Sequence, residues 1–129
     1  MREIKFRAWH SGMKKMFSAE EMAEDQLTLL PTGKFINVHG QNTRLSTIFS
    51  HEQMLPEQFT GLRDKNGKEI YEGDVIEWLN LRFEITLNNH HGYRFMVGVD
   101  QINRAYAERS EIIGNIHENP ELLENGGES

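Results

Sequence analysis

Two groups of residues carry side chains that could do chemistry as acids, bases or metal ligands. Glu72 and Asp74 flank Gly73, and their carboxylates could together hold a cation. The turn itself gives a simpler role. Glycine permits the reversal, and an aspartate entering a strand accepts hydrogen bonds from nearby backbone N–H groups. The second group is His90-His91, with His39 as a distant third imidazole. A zinc site needs three or four ligands and a supporting shell. Adjacent histidines on a strand would point to opposite faces, so a loop of solvated histidines is expected. Asp64, Glu69 and Glu77 can be drawn as an acid–base pair, but among 20 acidic residues such pairs arise by chance. No serine or lysine stands in a nucleophile or phosphate-loop motif. The expectation is a protein that is not an enzyme, with no catalytic residue, metal ligand or cofactor.

A third group could bind rather than react. Trp9, Tyr71, Trp78 and Tyr93, with Arg82 and Arg94 on neighbouring predicted strands, form a candidate binding surface. Aromatics on a barrel face stack nucleic-acid bases or line a groove for a proline-rich peptide. They also fill the interiors of small barrels, which need bulky side chains, and core filling is the favoured reading for most of them.

Short strands must position these residues. Glu3 to Trp9 alternates, with Ile4, Phe6 and Ala8 on one side and Lys5, Arg7 and Trp9 on the other, as in a half-buried strand. His10-Ser11-Gly12 turns the chain into a short return at Lys15-Met16-Phe17. Ser18 to Glu21 is a capping box opening a helix of two turns at most, with Met22 facing the core. Leu27 to Leu30 and Lys34 to Val38 flank Pro31-Thr32-Gly33 and read as a hairpin. Residues 39–55 have no clear pattern. In the second half, Asn66-Gly67 is the strongest turn signal. Strands are expected over 59–62, 68–71, 75–79, 82–87, 93–99 and 112–116, with Phe83, Ile85 and Leu87 on one face. Gln101 to Arg109 suits a single helical turn or a wide loop. The organisation expected is a β-rich N-terminal region over 1–55, a barrel over 56–123 and a disordered tail over 124–129.

The 129 residues suffice for one ordinary domain, or for two very small ones sharing a core. Only 37% are hydrophobic, so the core should be modest and self-association would add stability. The absence of cysteine excludes disulfides and thiolate chemistry and fits a reducing compartment. No signal-peptide pattern and no apolar run of membrane-spanning length is present, so a cytoplasmic protein with no membrane partner is expected. The net charge of −6 lowers the expectation of duplex binding. Residues 1–17 carry five cations against Glu3, and residues 108–129 carry six glutamates against Arg109. The two ends would offset each other within one chain, or associate head to tail between chains.

Three blocks carry a resemblance. They are Arg2-Glu3-Ile4-Lys5-Phe6-Arg7-Ala8-Trp9, the run from Phe59 through Asp64-Lys65-Asn66-Gly67 and Glu72-Gly73-Asp74 to Ile76, and Ile113-Gly114-Asn115-Ile116-His117-Glu118-Asn119-Pro120-Glu121-Leu122-Leu123. In this order they resemble the YopX family, small proteins encoded by bacteriophages and prophages. The resemblance implies an all-β fold with an SH3-like barrel in the second half, and it implies no activity. The expected role is that of a non-catalytic, macromolecule-binding accessory protein whose partner is an unidentified host or phage protein. Nucleic acid bound on the barrel face and a homo-oligomeric assembly are the alternatives. Salt dependence would mark the first.

Overall fold

The computed structural model describes residues 3–24, 27–29, 35–37, 54–88, 94–97 and 100–126. The chain is mostly β and divides into two compact units, Lys5–Gln58 and Met1–Ile4 with Phe59–Ser129. The soft boundary expected near Pro56 thus falls inside a continuous strand, Met54–Arg63, two residues before the division.

In the first unit, β1 (Phe6–His10) pairs antiparallel with β2 (Lys15–Phe17) in the register Ala8↔Phe17. The return strand read from the sequence is present at the same residues. The imidazole Nδ1 of buried His10 accepts the Met13 N–H at 3.0 Å and closes the turn. Strict alternation fails at the end of β1, where Ala8, Trp9 and His10 are all buried, while Ile4 is exposed. The capping box forms as expected. The Glu21 N–H donates to Ser18 Oγ at 3.0 Å, and the Ser18 N–H donates to Glu21 Oε1 at 3.1 Å. It opens α1 (Ala19–Glu24), which buries Met22. Next come β3 (Leu27–Leu29) and β4 (Phe35–Asn37), paired with Leu29 opposite Phe35. The first half of β5 (Met54–Arg63) lies against β1, with Arg7 opposite Glu57 and an ion pair of 2.9 Å between them. Ala8, Phe17, Met22 and Met54 form the core of this unit.

In the second unit, Phe59 to Arg63 of β5 pair with β6 (Glu69–Tyr71). The sheet that follows is five-stranded and antiparallel. Its strands are β7 (Asp74–Trp78), β8 (Leu81–Asn88), β9 (Arg94–Val97), β10 (Asp100–Gln101) and β11 (Glu111–Asn115), in the spatial order β10-β9-β8-β7-β11. A single helical turn, α2 (Arg104–Ala107), follows β10 and is capped by Asn103, whose Oδ1 accepts the Tyr106 N–H at 2.9 Å. Ile70, Ile76, Ile85, Phe95, Val97, Ile102 and Ala107 make the core, with Phe83 and Leu87 packed against it as the alternation of β8 requires. A last helix, α3 (Glu121–Gly126), takes in residues 124–126 of the segment expected to be a disordered tail. Among the described residues, no helix is long and apolar enough to cross a membrane.

Candidate binding surface

Three polar residues in the resembling blocks are occupied by their own backbone. Asp64 is only 4% exposed. Its Oδ1 accepts the N–H groups of Asn66 and Lys68 at 2.9 Å, and its Oδ2 accepts that of Ile112 at 3.0 Å. One carboxylate therefore shapes the β5–β6 turn and ties it to β11. Asp74 is equally buried and accepts the Tyr71 N–H at 2.8 Å. Gly73 turns the chain at φ 87, its N–H donating to Ile85 and its carbonyl accepting from Ile116. This is the turn role expected of Gly73-Asp74. Asn115 Oδ1 accepts from the N–H groups of His117 and Glu118, and its Nδ2 donates to Glu118 Oε1 at 2.7 Å. Such side chains hold the fold and leave few free oxygens for a ligand.

The aromatic candidates divide. Trp9 lies in the first unit and is 8% exposed, and Tyr71 is 7% exposed and packed on Phe59 at 5.5 Å. Both are core residues, which corrects their place on the candidate surface: a small interior needs their bulk. Trp78 is half-buried and meets Tyr106 of α2 edge-on, with ring centroids 4.6 Å apart. Arg82 lies opposite Glu77, donates to its carboxylate at 3.2 Å and reaches the Leu122 carbonyl at 3.4 Å. Arg94 pairs with Asn88 through its backbone in β9. Its side chain, Tyr93, and the histidines His39, His90 and His91 lie outside the described residues. Among those described, no three His, Asp or Glu side chains could hold a metal ion.

The structure exposes instead the residues between Trp78 and Arg82. Trp78 and Leu81 are opposed, so Leu79 and Asn80 form a two-residue hairpin loop, at φ 53 and 66. Two successive positive φ values mark the primed turn that suits strand twist, and Asn or Gly normally fills both positions. Leucine at the first is unfavourable by about 1 kcal/mol. Leu79 is also 71% exposed, and Leu81 beside it is 41% exposed. Backbone strain and exposed apolar area therefore coincide at one tip, beside the Trp78–Tyr106 pair. The sequence reading placed Leu79 at the end of a strand and missed it. The signal was Leu79-Asn80 standing between two strand patterns with no glycine to relieve the turn.

A second feature is a cleft of about 670 Å³ lined by Gly61, Leu62, Arg63, Asp64, Lys65, Gly67, Arg104 and Glu108. It joins the Asp64 turn to α2, the same helical turn whose Tyr106 packs on Trp78.

A sequence family described as YopX protein matches residues 5–124. Among solved structures, protein EF1440 from Enterococcus faecalis is similar, with a TM-score of 0.61 and 26% sequence identity over 95% of this chain and 99% of that one. No curated protein matches. The family match runs from β1 through the Asp64, Gly73 and Asn115 turns into α3, the parts of the fold that the three sequence blocks build. The chain belongs to the YopX family.

Proposed function

We propose that this protein is a non-catalytic module that binds a protein partner through the tip of the β7–β8 hairpin. The observation that carries the proposal is Leu79, held in a left-handed conformation and left largely exposed beside Leu81. Strain retained at an exposed position marks a candidate functional site, and adjacent large apolar side chains at such a site suit a partner's apolar pocket. The motif acids support a binding role over a catalytic one, because Asp64 and Asp74 are already engaged with backbone N–H groups. We read the barrel expected over residues 56–123 as SH3-like, a reading supported by the five-stranded antiparallel sheet and the helical turn before its last strand. The family resemblance favours an accessory factor of a phage or prophage acting in the host cytoplasm.

The test is affinity capture from nuclease-treated lysate of the natural host, run with the wild type and with Leu79→Asn/Leu81→Asn. The proposal expects a protein retained in stoichiometric amount by the wild type and lost by the variant. A species retained equally by both, or one that disappears with nuclease, contradicts it.

A further inference from the structure

The cations of the cleft come from three segments: Arg63 from the end of β5, Lys65 from the turn and Arg104 from α2. Each has a carboxylate 3.4 Å away, respectively Glu69, Glu111 and Glu108. These are surface pairs of long geometry, each worth less than about 1 kcal/mol, so an incoming anion can displace the internal partner at small cost. Asp64 also lines the cleft, but three of its acceptor positions are taken by backbone N–H groups, and no ion pair joins it to these cations among the described residues. Arg63 is held in place by a 3.1 Å bond from Nη1 to the Gly67 carbonyl, which fixes its fork at the rim.

The lining also indicates which anion fits. None of the described residues lining the cleft is aromatic, so a single nucleic-acid strand would find no stacking platform there. The net charge of −6 opposes a long polyanion, whereas a short segment with few carboxylates suits a cleft whose three cations stand beside Asp64 and Glu108. Leu62 adds an apolar wall. We infer that the cleft binds the carboxylates of a short acidic peptide segment carried by a protein partner. This rests on the reading that the hairpin tip docks a protein. Arg104 lines the cleft while Tyr106, two residues on, packs against Trp78 at the hairpin base. One partner can therefore meet both surfaces across a single helical turn.

The experiment titrates the full-length protein with a labelled Glu-Glu-Leu-Glu peptide at low and at high salt, and with a single-stranded oligonucleotide of equal charge. Arg63→Gln/Lys65→Gln/Arg104→Gln removes the cations without touching the buried Asp64 network, and its amide spectrum checks the fold. The inference expects peptide binding that weakens with salt and falls by about tenfold or more in this triple variant. It also expects unchanged peptide binding in Leu79→Asn/Leu81→Asn, which separates a failure of the cleft from a failure of the hairpin tip. Absence of peptide binding at low salt, equal binding by the triple variant, or tighter binding of the oligonucleotide overturns it.

Discussion

At Asp64, a single side chain holds three backbone N–H groups, so its truncation exposes the logic of the whole turn. Asp64→Ala leaves all three donors without their acceptor and is expected to cost about 2–4 kcal/mol in urea unfolding. Asp64→Asn keeps an oxygen for Asn66 and Lys68 and is expected to lose less. Glu21 gives a prediction in pH. The hydrogen bond from the Ser18 backbone, and then Lys15, hold its carboxyl below the ordinary glutamate value of 4.5. A depressed value in the folded state means that this capping contribution is present above pH 4.5 and is lost as pH falls through the lower folded value. The Ser18 amide resonance should therefore titrate below pH 4.5 in the wild type, and the titration should vanish in Glu21→Gln. Leu79→Asn tests strain at one residue. Asparagine tolerates positive φ, so the variant should be more stable by about 0.5–1 kcal/mol. A loss of stability would show that the leucine side chain is part of the fold.

The last strand and the helix after it depend on one small residue. A Cβ on Gly114 would lie 2.5 Å from Asn119 Oδ1 and 2.7 Å from Leu122 Cδ1. Asn119 is held by its contact with the Asn115 N–H, so it has little freedom to yield. Gly114→Ala should destabilise by about 1–3 kcal/mol in chemical denaturation and increase amide exchange in α3 ahead of β8. Elements of this kind were legible in the sequence where local chemistry decides them. The Ser18–Glu21 box, the Lys15–Phe17 return, the Asn66-Gly67 turn and the alternation of Phe83, Ile85 and Leu87 each have a short-range cause. The start of α3 beyond Pro120 was not legible, because it depends on Leu122 meeting Gly114, a contact made only once the sheet has formed. For Tyr71 the sequence left both a core and a surface place open, with the core favoured, since period-two patterning does not tell a covered face from an open one. The hairpin tip was hidden because Leu79 reads as the last residue of an apolar strand, and only φ and exposure reveal it as a strained surface residue.

For the molecule as a whole, the charge asymmetry read from the sequence has a local counterpart. Lys5, Arg7 and Lys15 have Glu20, Glu57 and Glu21 within ion-pair distance, all inside the Lys5–Gln58 unit. The cations that line the cleft belong to the other unit, where Arg63, Lys65 and Arg104 are held by weak, exposed pairs. A protein of net charge −6 thus has a cleft with three basic side chains at α2, whose Tyr106 packs on Trp78 at the base of the hairpin that exposes Leu79 and Leu81. If the hairpin tip docks a partner as proposed, Leu79 gives up stability for binding. The decisive experiment measures, on one Leu79→Asn preparation, its unfolding free energy and its retention of the protein captured by the wild type after nuclease treatment. The expected result is a rise in stability together with a loss of partner retention of about tenfold or more. A variant that is more stable and retains the partner as well as the wild type would show that Leu79 plays no part in docking.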